Sequence, residues 1–238
     1  MNKTEKTDIF EDIKTVLQFY EALGFESLPI EIKITGRTPA ENSQMVKNKE
    51  PALLTLREEI GDCRRCRLSE KRTSIVFGEG DPNAKLMFIG EAPGREEDLQ
   101  ARPFVGDAGV LLTRLIEKMG FSRKDVYIAN VVKCRPPLNR DPEPDEIEKC
   151  RGFIERQIEI IQPDVIMSLG RIAASVLIGD AKLRITPIRG KLFHYKKIPL
   201  IPTFHPAYLI RNPKDKWLTW SDARKVLELL GKNSQINT

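Results

Sequence analysis

The sequence has no long hydrophobic run: its strongest apolar stretches, residues 86–90 and 165–169, are strand-sized, which excludes a membrane-spanning helix. It has no G-x-G-x-x-G spacing, so its glycine-bearing turns are not a dinucleotide fingerprint. No internal repeat or low-complexity tract is present, which excludes solenoid architectures. No secretory-signal pattern is evident, and 31% of the residues are charged. The expectation is therefore a cytoplasmic protein, in a reducing setting that disfavours structural disulfides. Histidine is scarce, at two residues, and cysteine is limited to four.

Those four cysteines carry much of the information. Cys63 and Cys66 form a C-x2-C pair, and Cys134 and Cys150 follow with fifteen residues between them. In a reducing compartment they read as metal ligands. Thiolates select zinc or an iron–sulfur cluster, and the spacing does not choose between a tetrahedral zinc and a cubane with one cysteine per iron. A redox dithiol would use the first pair and leave the second unexplained; buried free thiols are the plainer alternative.

The net charge of +5 is unevenly spread: residues 1–50 hold seven Lys/Arg against nine Asp/Glu, leaving 32 against 25, a net +7, on the rest. A basic main body suits a polyanion such as nucleic acid. Residues 1–50 read as an extension with an amphipathic helix over 9–23, carrying Ile9, Ile13, Val16, Leu17 and Tyr20, followed by a linker. A docking role for this extension toward a protein partner is one expectation and a peripheral helix the other. From residue 51 to 238, strand-like runs at 85–90, 125–133, 164–170 and 198–204 alternate with helical patterns at 109–119, 145–161, 171–178 and 221–231. This order predicts a three-layer α/β/α domain around a mostly parallel four-stranded sheet, with ligand sites at the carboxyl ends of its strands.

The residues with chemistry follow those strand runs. The first ends in Gly90-Glu91-Ala92-Pro93-Gly94, which holds a carboxylate at a tight turn, and leads through Glu96, Glu97 and Asp98 to Arg102-Pro103-Phe104-Val105-Gly106. The second delivers Asn130, whose amide offers a donor and an acceptor together and matches the edge of a pyrimidine or an amide ligand. The last leads into Phe204-His205-Pro206-Ala207-Tyr208-Leu209-Ile210-Arg211, where His205 is placed to donate a hydrogen bond to a developing anion. Taken singly, each has a structural alternative: a tight turn, a backbone-satisfied asparagine, a packed histidine. His194 receives only the structural reading.

Taken together, GEAPG, RPFVG, YIANVVKCRPP, the two cysteine pairs and FHPAYLIRNP closely resemble the family 4 uracil-DNA glycosylases, the iron–sulfur branch of that superfamily, over roughly residues 51–230. The resemblance implies a DNA-repair hydrolase that cleaves the N-glycosidic bond of deoxyuridine in single- or double-stranded DNA and leaves an abasic site, in a cytoplasmic, nucleoid-associated setting. It implies a 4Fe-4S cluster on Cys63, Cys66, Cys134 and Cys150. It implies a uracil pocket of Glu91, Ala92, Pro93, Phe104, Asn130 and His205, with Phe104 stacking on the base, Asn130 reading its Watson–Crick edge and His205 stabilising the uracil anion. Better-known relatives carry an aspartate where this chain has Ala92, so Glu91 is the first choice for orienting water and Glu97 the second. Glu96 and Asp98 are expected to be solvated or near DNA. For DNA contacts, Leu209 looks like the wedge that fills the vacated stack, helped by Tyr208, while Arg211, Arg189 and Lys191 hold phosphates. The segment CRPPLNRDPEPD lacks the histidine-bearing insertion of the branch that cross-links to DNA, which favours turnover. The alternative is a non-catalytic iron–sulfur DNA-binding module, comparable to domains that accompany phage polymerases.

Overall fold

The computed structural model describes residues 49–232. The extension expected over residues 1–50 lies outside them except for its last two residues, and with it the helix expected at 9–23 and any docking role. The described chain opens with helix α1 (Lys49–Ile60), whose Leu53, Leu56 and Ile60 are buried at helical spacing. Strands β1 (Glu79–Gly80) and β2 (Leu86–Gly90) follow, then α2 (Arg95–Gln100), α3 (Asp107–Lys118), β3 (Tyr127–Asn130), α4 (Pro144–Ile161), β4 (Val165–Leu169) and α5 (Arg171–Ile178). The remainder is α6 (Ile185–Ile188), β5 (Phe193–Tyr195), β6 (Ile198–Thr203), α7 (Pro206–Arg211) and α8 (Lys216–Leu229). None of these helices is long and apolar enough to cross a membrane.

The strands form one sheet in the order β1-β3-β2-β4-β6-β5, parallel at its four central strands and antiparallel at both edges. Strand residues alternate between two apolar layers because successive side chains point to opposite faces. Met87, Ile89, Ala129, Ile166 and Leu200 join Leu56, Phe153, Ile154 and Ala173 on one side. Leu86, Phe88, Ile128, Met167 and Ile201 join Leu112, Ile116, Ala223 and Val226 on the other. The architecture is three-layered, as the alternation of patterns predicts. The sheet has six strands rather than four, because β1 and β5 span only two and three residues and are too short to show a periodic signal. The short helices α2 and α7 escape prediction for the same reason.

The run expected at 125–133 is a ladder strand only over Tyr127–Asn130. Beyond it the chain keeps pace with β2 through Val131 N–H to Gly90 O and Val132 N–H to Glu91 O, both 2.9 Å. Since β2 pairs with β3 on one side and β4 on the other, the strand order reverses at β2. Chains leave such a point in opposite directions and open a crevice at the carboxyl ends.

At the far side of the sheet, β6 is tied to α8 through the buried Asp222. Its carboxylate accepts from the Thr203 hydroxyl at 2.7 Å and from Arg189 Nε at 3.0 Å. Arg189 also donates to Leu218 O, and Gly190 has a φ of 67° with no room for a Cβ beside Asp222. This corrects the phosphate-binding expectation for Arg189, whose guanidinium is consumed inside the fold. Replacing Asp222 by Ala strands that cation in a poorly solvated place, and urea unfolding of Asp222→Ala should show a loss of about 3–5 kcal/mol.

Candidate active site

A cavity of about 530 Å3 opens at the crevice, lined from β2's exit by Glu91, Ala92 and Pro93, from the next loop by Phe104, from β3 by Asn130, and from β6's exit by His205. All six residues expected in the pocket therefore meet in one place. Its size and mix of aromatic and polar walls suit a small planar ligand.

Asn130 is 1% exposed, and its Oδ1 has no hydrogen-bond partner. A buried acceptor left unmade costs about 1–3 kcal/mol, so in the pocket this oxygen is open to a donor from water or a ligand. Gly90 makes the arrangement possible, because a Cβ there would fall 2.4 Å from both Asn130 Oδ1 and Phe104 Cζ.

Phe104 is buried and held at a φ of 51°, a conformation that bulky residues avoid. Three groups impose it. Arg123 donates to Pro103 O at 2.7 Å and to Phe104 O at 3.0 Å while its other edge pairs with Glu79. Glu97 accepts from Val105 N at 2.8 Å, Gly106 N at 3.0 Å and Gly94 N at 3.1 Å. Gly109 gives up the space where a Cβ would strike Phe104 O at 1.9 Å. Glu97 lines the cavity, but its carboxylate is saturated by backbone donors, which corrects its candidacy for orienting water. Asp98 is likewise not solvated; it is 2% exposed and accepts from Thr73 N and Ser74 N. Glu96 is exposed at the cavity's edge.

Glu91 has the opposite environment. Burial, reinforced by Asp141 and opposed by Arg171, pushes its carboxyl up to about 7. His205 caps α7: its Nδ1 accepts from Ala207 N at 3.2 Å, which assigns the ring proton to Nε2. Burial first and then the charge of Arg211 push His205 down to about 4, against the pull of Glu97. The ring is therefore a neutral donor at physiological pH, and it stands 5.7 Å from the Phe104 ring.

The expected DNA-contact residues divide. Tyr208 and Arg211 line the cavity, Tyr208 braced by its hydroxyl to Asp215 at 2.7 Å. Lys191 is exposed but outside the lining. Leu209 is 3% exposed and lines a separate apolar cavity with Leu112, Leu115 and Trp220, so it is not presented to a duplex; the exposed apolar residue of α7 is Ile210. The cavity also takes Arg95, Asn139, Arg140 and Asp141, which the sequence reading left without a role. Their one signal was a cluster of turn-forming and charged residues immediately after a strand run.

All four cysteines line one small pocket behind the site. Lys133 N donates to Cys150 Sγ at 3.3 Å and Arg72 Nη1 to Cys134 Sγ at 3.5 Å. Burial pushes the Cys134 thiol up to about 12 and Cys150 in the same direction, so these sulfurs become thiolates only with a cation among them. Among the described residues no three of His, Cys, Asp or Glu are arranged to hold a single metal ion, while all four cysteines share this one pocket. Lys133, also unassigned by the sequence reading, is 1% exposed and donates to Asn130 O at 2.7 Å and Gln157 Oε1 at 2.5 Å. It joins the cysteine pocket to the strand that carries Asn130.

The family model of the uracil DNA glycosylase superfamily matches residues 77–227. The chain belongs to that superfamily. It is 46% identical over 181 residues to the type-4 uracil-DNA glycosylase of Archaeoglobus fulgidus, covering 73% of this chain and 91% of the relative. It is 48% identical over 167 residues to that of Thermotoga maritima, covering 69% and 86%, and 48% identical over 181 residues to that of Saccharolobus solfataricus, covering 73% and 84%. Within the superfamily it is of the type-4 kind. The glycosylase match takes in Glu91, Phe104, Asn130, Cys134, Cys150 and His205, while Cys63 and Cys66 precede it.

Because Gly90 is the point where the Asn130 amide and the Phe104 ring both reach the β2 backbone, Gly90→Ala should overpack the pocket at a cost of about 1–3 kcal/mol. Chemical denaturation measures that loss, and a structure of the variant should show Phe104 displaced.

Proposed function

We propose that this chain hydrolyses the N-glycosidic bond of deoxyuridine in DNA, releasing uracil and leaving an abasic site, the first step in repairing deaminated cytosine. The observation that carries the reading is the buried, partnerless Oδ1 of Asn130 in a cavity walled by an aromatic ring and a neutral histidine donor. Uracil stacked in a duplex must first be extruded, at a cost of a few kcal/mol that is lowest for a mismatch such as U·G. Phe104 stacks on the extruded ring. Asn130 Oδ1 accepts from uracil N3–H while its amide N–H faces O4. Cytosine has no proton at N3 and bears an amino group at C4, so with the amide in this orientation it would leave both of its atoms unpaired.

As the C1′–N1 bond breaks, its electron pair moves into the base and the sugar becomes an electrophilic oxocarbenium-like ion. His205 Nε2–H donates to uracil O2 as negative charge develops there. The Glu91 carboxylate orients the water that attacks C1′ and offsets the positive charge on the sugar. Arg95 and Arg211, which make no salt bridge among the described residues, are the cations at the cavity for flanking phosphates.

The cysteine pocket fits a 4Fe-4S cluster, since four thiols line one small pocket and a cubane takes one thiolate per iron, and the type-4 relatives favour this over a single zinc. Cys63, Cys66, Cys134 and Cys150 would hold it, and the group when bound supplies charge that keeps them ionised. Around it this chain's residues do structural work: the fully buried Glu146 accepts from Arg67 at 2.9 Å and Arg140 at 2.7 Å, linking the first cysteine pair to the pocket loop. The non-catalytic binding reading is not favoured. It rested on Ala92 and on the N-terminal segment; Glu91 supplies a carboxylate from the position adjacent to the first, and the second lies outside the described residues.

Uracil release from U·G, U·A and single-stranded oligonucleotides, scored as alkali-labile sites, tests the activity; folded, metal-loaded protein that leaves all three intact overturns it. His205→Ala should lower the rate about 10²–10³-fold. The rate of the unaltered chain should fall as pH drops through about 7, where Glu91 takes up a proton, and Glu91→Gln should be slow and without that transition. Stability runs the other way. A carboxyl raised by burial stabilises the fold fully below the usual carboxylate range and loses that contribution as pH rises through about 7. Glu91→Gln should therefore gain in thermal stability relative to the unaltered chain at pH 8 but not below the usual carboxylate range, near pH 4. Iron and sulfide analysis should find four of each per chain, whereas one zinc without sulfide overturns the cluster.

A further inference from the structure

Between Cys134 and α4 the chain turns through Pro136, Pro137, Leu138 and Asn139 at the rim of the pocket. Leu138 is 96% exposed, more than any other large hydrophobic residue among those described. It also has a φ of 56°, followed by 54° at Asn139. That left-handed backbone suits glycine or asparagine and penalises leucine. The position therefore carries a backbone strain and a solvated apolar side chain, and no contact inside the protein offsets either.

The loop's shape does not come from the leucine. Arg135 Nε donates to Asn139 Oδ1 at 2.8 Å, Asn139 N to Pro136 O at 3.1 Å, Arg140 Nη2 to Glu146 Oε1 at 2.7 Å, and Arg171 to Asp141 at 2.7 Å. Pro136, Asn139, Arg140 and Asp141 line the pocket, so Leu138 stands on a braced tip between lining residues and directed into solvent.

We propose that Leu138 is a wedge that enters the DNA base stack beside the nucleotide whose base occupies the pocket. The inference rests on the uracil-excision reading above. An apolar side chain on a rigid tip can separate adjacent bases without first losing conformational freedom, and leucine is among the residues that intercalate in this way. Leu209 is buried and cannot serve, and Leu138 is far more exposed than Ile210, the apolar residue that α7 does present. A duplex has a stack to enter and a single strand has little, so the contribution is specific to double-stranded substrate.

The test compares the full-length chain with Leu138→Gly and Leu138→Asn, both suited to the backbone there, and with Leu138→Met. The Gly and Asn variants should keep or raise the melting temperature, lose about ten- to hundredfold in kcat/KM on duplex uracil-DNA, and match the unaltered chain on single strands. Leu138→Met should restore most of the duplex rate. A duplex with 2-aminopurine beside the uracil should brighten on binding the unaltered chain and stay dim with the Gly and Asn variants. Equal duplex rates, or an equal loss on single strands, overturn the wedge. If the unaltered chain releases no uracil from any substrate, the activity reading falls instead, and the fluorescence comparison still decides the wedge.

Discussion

The parallel pairing of β2 with β3 is the constraint on which the rest depends. Its register sets Gly90 against Asn130, and the two backbone bonds beyond the strands carry the alignment on to Glu91 and Val132. One side of that junction becomes the pocket. On the other, Lys133 N–H reaches Cys150 Sγ and Cys134 follows directly, so the cysteine pocket is fixed by the same pairing. A slip of one residue would turn Asn130 to the opposite face and move both sites together.

Around that rigid junction the fold concentrates conformations it would otherwise avoid. Phe104 and Leu138 are both held in left-handed backbone, and in neither case does the strained residue's own side chain impose it: Arg123 and Glu97 grip the main chain around the first, and side-chain bonds from Arg135 to Asn139 and from Arg140 to Glu146 brace the loop of the second. Such strain persists only where the surroundings over-determine it, and it concentrates where a ligand is handled. Glu97 belongs to this support. Three N–H groups aimed at one carboxylate make it a fastener for the loop, whereas Glu91, without such donors and raised by burial, keeps the freedom to exchange a proton.

Much of this was legible in the sequence because it is periodic or chemically unusual. The four central strands and four of the helices follow from hydrophobic patterning, and the pocket residues sit where strand runs end, where an open α/β sheet exposes them. What was illegible depends on partners distant in sequence. Nothing local marks Glu97 as saturated, Asp98 as buried or Arg189 as locked to Asp222, 33 residues away. Leu209 and Ile210 are adjacent and both apolar; only packing against α3 and α8 decides which is hidden. Leu138 escaped because a leucine between prolines and asparagine reads as an ordinary turn until its backbone angle and exposure are known.

The strand order has a consequence in time. A ribosome makes β2 first among the four parallel strands, then β3, β4 and last β6, so Glu91, Phe104 and Asn130 emerge well before His205. The pocket residues carried by β2, its exit and β3 are thus all made before the one that follows β6. All four cysteines, too, are made before His205, so the proposed cluster ligands and the strand-borne pocket residues precede the proposed donor along the chain.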